Sequence, residues 1–431
     1  MEKDRIGWGY KLTKAYFRFA AYGIYYRAYH CLGRDNIPQP GTPVLVAMNH
    51  QNAFCDALGV LMSKDDRKWH FIARADAFDI HPLFGKFITW AGVLPAYRLQ
   101  YQGEEALANN DETFRLSEEG LLKGNSILIF PEAGHQDKHW LGTFSYGYTR
   151  MAFQAAEKGN FEKEIFILPA ANHYSEYTGM RQSMLIRFGT PVSIKPYYEL
   201  YKTKPRTAQR EVNKLVRSQI ESMMLDIRDL DHYADIDFLR GCLHNADAPL
   251  PEQLEADKAL VKRLQALQET DPSAYQEAMD NVKTYRLGLA AAGLEDRQIK
   301  ENPNWFLTLL QALVLLALSP LALLALWPSV PAWYIPKHFS DKTGDIMLQS
   351  SIVLAANTLL LMPLFCVITF VVTTLLAGWE IGLFHAILMP FLCIFEHHYL
   401  NLFRTVRQAF RFLTGNSKDS LAALRSKIVS L

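Results

Sequence analysis

The chain has 431 residues, enough for one large domain with additions or for two or three domains. Its 45 basic and 44 acidic residues leave a formal charge of +1, so no global field recruits a polyanion and no nucleic-acid partner is expected. The five cysteines, Cys31, Cys55, Cys242, Cys366 and Cys393, form no CxxC pair and are odd in number, which argues for reduced thiols over a disulfide scaffold or zinc site.

Residues 1–34 open without the basic, apolar and small-residue succession of a signal peptide. In "YKLTKAYFRFAAYGIYYRAYHCLG" aromatic residues alternate with Lys11, Lys14, Arg18 and Arg27. That pattern predicts an amphipathic helix lying in the lipid headgroup layer, with Gly33 as its stop. Residues 35–203 alternate short apolar runs with helical patterns. "TPVLVAMN", "WHFIAR", "NSILIFPE", "EIFILPAAN" and "MLIRFGTPVSI" read as strands. "GEEALANNDETFRLSEEGLLKG" and "SYGYTRMAFQAAEKG" read as helices between them. The alternation predicts an α/β domain with a largely parallel sheet flanked by helices, in which working residues gather at the carboxyl ends of strands.

Residues 204–300 are charged and helical and carry no recognisable chemistry, as expected of a solvated spacer or cap. Residues 301–400 are the membrane zone. Trp305–Trp327 and Met347–Ala377 hold no formal charge over lengths that can cross a bilayer, and Ile381–Phe395 is a shorter third run. Residues 401–431 form a basic tail, with Arg404, Arg407, Arg411, Lys418, Arg425 and Lys427 against Asp419. The positive-inside tendency places that tail in the cytoplasm. A two-span hairpin, its third run re-entrant or continuing the second helix, keeps the catalytic part on the same face.

The chemistry centres on "NHQNAFCDAL", residues 49–58. A carboxylate that holds one imidazole nitrogen makes a histidine an effective general base. His50 and Asp56 share no face of a continuous helix, so the pair works only if His50 lies in the turn before the helix and Asp56 on its first turns. Taken alone, the stretch is equally an ordinary strand-to-helix turn with a polar rim. Three later stretches bear on the choice. "GVLPAYR" ends in Arg98, whose guanidinium suits bidentate phosphate binding. "ILIFPEAGHQD" places Pro131, Glu132, Gly134 and His135 after a strand, and "ILPAANHY" places Pro169 in another.

In order and approximate spacing, these four stretches resemble the four motif blocks of the glycerol-phosphate acyltransferase family, over roughly residues 35–195. The resemblance implies that His50 deprotonates the acceptor hydroxyl and Asp56 orients it. It assigns acceptor phosphate to Arg98, Glu132, Gly134 and His135, and acyl-donor binding or site shaping to Asn49, Pro131 and Pro169. It implies acyl-CoA or acyl-acyl-carrier-protein as co-substrate, with no metal or other cofactor, and a lipid bilayer as the working surface. Two departures stand out: five residues separate the histidine and aspartate where the family usually has four, and Ala133 replaces a glycine. They resemble a subgroup that includes eukaryotic glycerol-3-phosphate acyltransferases and bacterial relatives. The expected acceptor is lysophosphatidate, giving phosphatidate for phospholipid synthesis, with glycerol 3-phosphate or dihydroxyacetone phosphate as the alternative. A non-catalytic lipid-binding membrane protein is the rival from another class.

Other readings carry less. "GTFSYG" has one residue too many before Ser145 for a nucleophile elbow. His135 and His139 are spaced as zinc ligands can be, without a third ligand. His135, Lys138 and His139 either supplement Arg98 at phosphate or form a solvated loop. Cys55 reads as a small packing residue rather than a nucleophile.

Overall fold

The computed structural model describes residues 6–97, 105–132, 134, 138–245, 247–416 and 418–429, with backbone alone over 105–109. Arg98 and His135 lie outside the described residues. Two compact units emerge, Met1–Met224 with Thr343–Ser351, and Leu225–Lys342 with Ile352–Leu431.

The first unit is built on an eight-stranded sheet. Its strands are β1 (Ala28–Leu32), β2 (Val44–Met48), β3 (Trp69–Arg74), β4 (Val93–Ala96), β5 (Ser126–Ile129), β6 (Phe166–Tyr174), β7 (Ser183–Phe188) and β8 (Val192–Ser193). The spatial order is β1-β7-β6-β2-β5-β3-β4, with β8 also beside β6. Every pairing is parallel except those of β6 with β7 and β8. The expected "MLIRFGTPVSI" strand is therefore split. Pro191 has no N–H for a ladder, and the Gly189 amide turns to the Pro169 carbonyl at 2.8 Å.

Among the described residues eight α-helices accompany these strands: α1 (Trp8–Phe17), continued as a π-helix through Tyr25, α2 (Ala53–Leu61), α3 (Asp76–Asp79), α4 (Pro82–Ala91), α5 (Glu105–Leu122), α6 (Gly147–Lys158), α7 (Tyr198–Thr203) and α8 (Pro205–Met223). β2 lies at the centre, and all five of its residues are fully buried. Burial of each such aliphatic side chain contributes about 1.5–3 kcal/mol, so this strand is a firm base for the turn that follows it. α2 sits close against β7 because Gly59 has no side chain, since a Cβ there would lie 2.3 Å from the Met184 methyl. α8 buries Ala208, Val212, Val216 and Ile220 at helical spacing against the same core, which carries the first unit past residue 203 to Met224.

The N-terminal zone differs from its expectation. Tyr10, Phe17, Ala20, Ala21, Ile24 and Tyr25 are buried, while Trp8 and Leu12 are exposed. The helix ends at Tyr26, and the chain pairs with the open edge of β7 as β1. Its last carbonyls are capped from outside by the Arg181 guanidinium, 3.2 Å from Tyr26 O. Gly33 is thus no helix stop but the turn after β1, where its φ of 67° and a Cβ position 2.1 Å from Phe188 O leave room for glycine alone.

The second unit is helical: α9 (Tyr233–Leu243), α10 (Leu250–Thr270), α11 (Pro272–Ala292), α12 (Asp296–Glu301), α13 (Trp305–Asp341), α14 (Ile346–Ala356), which starts in the first unit, α15 (Met362–Ala377), α16 (Trp379–Thr414) and α17 (Lys418–Val429). Among the described residues, three helices are long and apolar enough to cross a membrane: Trp305–Asp341, Ile346–Ala377 and Trp379–Thr414. The third run does not continue the second helix. Gly378, at φ 93°, breaks the helix, and helix-forming residues beyond Phe395 extend the new one to 36 residues. The basic tail is no loose appendage. α17 buries Leu421 and Ile428, and Arg425 pairs with Asp296 at 2.8 Å.

Candidate active site

β2 ends at Met48, and the next four residues turn the chain into α2. His50 lies in that turn and Asp56 on the first turn of the helix. The helix begins at Ala53, whose φ of 30° is outside the helical range. His50 Nδ1 lies 2.8 Å from Asp56 Oδ2. A carboxylate only accepts, so the ring proton sits on Nδ1 and Nε2 is the basic nitrogen.

Asp56 is fully buried and its oxygens are well supplied with donors. Besides His50, Oδ2 accepts from the amides of Gln51 and Asn52, each at 2.8 Å. Oδ1 accepts from the Tyr174 hydroxyl at 2.5 Å. Burial, reinforced by the Asp56 charge, holds the Tyr174 hydroxyl well above its usual range, so it stays a donor. The imidazole is stacked on Phe130, ring centroids 3.7 Å apart, and the His50 side chain keeps 16% of its surface exposed. Phe130 follows β5, the parallel neighbour of β2, so the site sits at the carboxyl end of the sheet.

Glu132 acts as a strut. Its Oε1 accepts from the His50 amide at 3.0 Å and its Oε2 from the Gly142 amide at 2.7 Å. The loop carrying Gly142 is in turn held by Arg217 of α8, which donates to Gly142 O at 2.5 Å and Leu141 O at 3.1 Å. Both Glu132 oxygens are thus on backbone amides, one of them that of His50. Burial pushes the carboxyl above its ordinary 4.5, with the two amides working against the shift and Asp56 adding to it. The folded chain therefore binds this proton more tightly than the unfolded one. Stability from that source is fully present below 4.5 and is lost as pH climbs through the raised value. Thermal melts against pH are expected to show wild type losing stability relative to Glu132→Gln as pH rises. A difference independent of pH contradicts this.

The remaining expected residues are placed as follows. Asn49 and Asn172 are both buried and bond reciprocally, Asn49 Nδ2 to Asn172 Oδ1 at 2.9 Å and Asn172 N to Asn49 Oδ1 at 2.8 Å. They clip the end of β2 to β6. Pro131 is buried, and its carbonyl accepts from Ser145 N at 2.8 Å. Pro169 pairs with Ala47 in register, three residues before His50, and so lies within the sheet below the site. A Cβ on Gly134 would meet none of the described residues within 4 Å. His139 is buried, with Nδ1 3.1 Å from the Tyr177 hydroxyl and its ring against His173 and Tyr177, in place of a solvated loop. Asn172, Tyr174 and Glu132's partner Gly142 are what sequence reasoning missed. The polar cluster ending β6, "ANHY", was the available signal for the first two.

Cys55 is fully buried and its thiol is pushed up to about 12, chiefly by burial. Peptide mapping after alkylation at about pH 8 is expected to find Cys55 unmodified in the native chain and modified after unfolding. Rapid native labelling contradicts that reading.

Comparison with known proteins adds to this geometry. Residues 29–172 match the family model described as Acyltransferase. Glycerol-3-phosphate O-acyltransferase 2 of Saccharomyces cerevisiae is 25% identical over 264 residues, covering 59% of this chain and 35% of that protein. Glycerol-3-phosphate O-acyltransferase 1 of the same organism is 23% identical over 251 residues, covering 56% and 33%. The chain thus spans about a third of the length of these curated relatives. A solved 1-acyl-sn-glycerophosphate acyltransferase from Thermotoga maritima aligns with a TM-score of 0.32 and 16% identity, over 48% of this chain and 78% of that one.

Proposed function

We propose that this chain, whose residues 29–172 match the Acyltransferase family model, is a membrane-bound O-acyltransferase that esterifies a glycerol-phosphate hydroxyl. The observation that carries the reading is the 2.8 Å contact of His50 Nδ1 with a buried, four-donor Asp56 at the carboxyl end of the sheet. In the proposed step Nε2 takes the proton of the acceptor hydroxyl as its oxygen attacks the thioester carbonyl carbon. Asp56 stabilises the imidazolium that forms. The tetrahedral intermediate then expels the thiolate, and the imidazolium returns the proton to sulfur. Arg98, with His135, is proposed to hold the acceptor phosphate, while Glu132 and the Asn49–Asn172 pair keep His50 in place.

The names of the two yeast relatives move the proposed acceptor from lysophosphatidate to glycerol 3-phosphate. The acyl donor is a thioester of coenzyme A or of acyl carrier protein. Trp305 at the start of the first apolar helix meets Phe410 near the end of the third, ring centroids 5.9 Å apart, and Asp296 meets Arg425. The basic residues Arg404, Arg407, Arg411 and Arg425 beside these contacts support proposing that this flank faces the cytoplasm.

The test supplies labelled acyl thioester to purified protein with each acceptor separately. Label entering lysophosphatidate from glycerol 3-phosphate is the expected result. Label entering phosphatidate alone makes lysophosphatidate the acceptor, and no transfer to either overturns the enzyme reading.

A further inference from the structure

The helix that carries Asp56 is not capped by its own N-terminal residue. Asn52 occupies the cap position without any side-chain bond to the first turn. The missing acceptor arrives from 299 residues away in sequence. The segment Thr343–Ser351 packs as part of the first unit, and Ser351 is buried there. The Cys55 amide, third in the helix, donates to Ser351 Oγ at 3.1 Å. That is the amide a cap side chain ordinarily satisfies. The single Ser351 hydroxyl proton has two acceptors on Asn52 within reach, the carbonyl at 2.8 Å and Oδ1 at 3.0 Å. Ser350 extends the attachment by donating to Tyr177 O at 2.6 Å, and Asn52 Nδ2 donates to the same carbonyl at 3.1 Å.

What Ser351 grips is the backbone that builds the dyad. The Asn52 amide is one of the two that hold Asp56 Oδ2, and the Asn52 carbonyl accepts the first helical bond, from the Asp56 amide at 3.2 Å. The strained residue, Ala53, lies between them. We infer that Ser351 is a positioning residue of this active site, supplying from a distant part of the same chain the N-cap of the helix that carries Asp56. The inference rests on the acyltransferase reading for its kinetic consequence and on the structure alone for the cap. It also gives the segment Thr343–Ser351, which includes the first turns of the second apolar helix, a function: the chain around His50 is complete only when that segment is seated.

The experiment uses the full chain in detergent or nanodiscs, as wild type, Ser351→Ala and Ser351→Thr. Threonine keeps the hydroxyl and alanine removes it. Loss of a cap of this kind corresponds to about a 10-fold change in the equilibrium that orders the helix start. Ser351→Ala is therefore expected to lower kcat about 10-fold with KM for donor and acceptor unchanged, and Ser351→Thr to restore kcat to within about threefold. A serine that served folding alone would change the yield of folded protein and leave kcat per folded molecule unaltered. A second readout needs no activity: the Cys55 thiol, beneath the same cap, is expected to alkylate about 10-fold faster in Ser351→Ala. Unchanged kcat together with unchanged Cys55 labelling overturns the inference, as does an equal loss in Ser351→Thr. If wild type transfers no acyl group, the enzyme reading fails, while Cys55 labelling still decides whether Ser351 caps the helix.

Discussion

His50→Ala is expected to lower kcat by about 1,000-fold or more while leaving KM for both substrates near wild type. The imidazole supplies a proton acceptor that is worth most as the hydroxyl oxygen attacks, so its removal is felt in the transition state rather than in binding. The ring also stacks on Phe130 and retains some exposure, so its loss opens no sealed core cavity and the fold should survive. Initial rates with purified variant, normalised to folded protein by its melting transition, check this. Activity within about tenfold of wild type would remove His50 from the chemistry.

The second large effect separates charge from architecture at Asp56. Asp56→Asn, with its amide oxygen where Oδ2 lies, still accepts from Gln51, Asn52 and His50, and its NH2 donates to the Tyr174 oxygen. The fold is expected to hold, but the imidazolium loses its counter-charge, and kcat should fall by about 1,000- to 10,000-fold. Asp56→Ala instead leaves two backbone amides and the Tyr174 hydroxyl buried without an acceptor. At about 1–3 kcal/mol for each abandoned group, a loss of roughly 3 kcal/mol or more is expected. Melting temperatures of the two variants check the split: asparagine near wild type, alanine well below it. Equal destabilisation by both contradicts the donor arrangement around this carboxylate.

How far the sequence carries the account can be followed residue by residue. The strand-turn-helix of "VLVAMNHQNAFCDALGVLM" was legible because a fully apolar run meets a polar turn and then a helical pattern. The meeting of His50 with Asp56 followed from that local geometry, since both belong to one short segment. The membrane helices were legible by length and lack of charge, but the end of the third was not. Its amphipathic continuation through Thr414 has no apolar signature. The helical N-terminal zone hid β1, because an edge strand is decided by the free edge of β7 and not by its own five residues. Long-range partners were the least visible. Glu132 had the residue type of a ligand contact, and the His50 and Gly142 amides that the fold brings to it were not visible. Tyr174 and Asn172 lie more than 100 residues from the groups they hold, and no local periodicity encodes such a pairing. Ser351 is the extreme case, a hydroxyl in an apolar stretch whose partner is Asn52.

The most direct test of the central claim is a double-mutant cycle on kcat with His50→Ala, Asp56→Asn and the combined variant, using labelled acyl thioester so that low rates stay measurable. If Asp56 acts through His50, the double variant should be no slower than His50→Ala, because a counter-charge has nothing to stabilise once the imidazole is gone. Two losses that multiply in the double variant would mean that the carboxylate and the imidazole act independently, and would contradict the dyad.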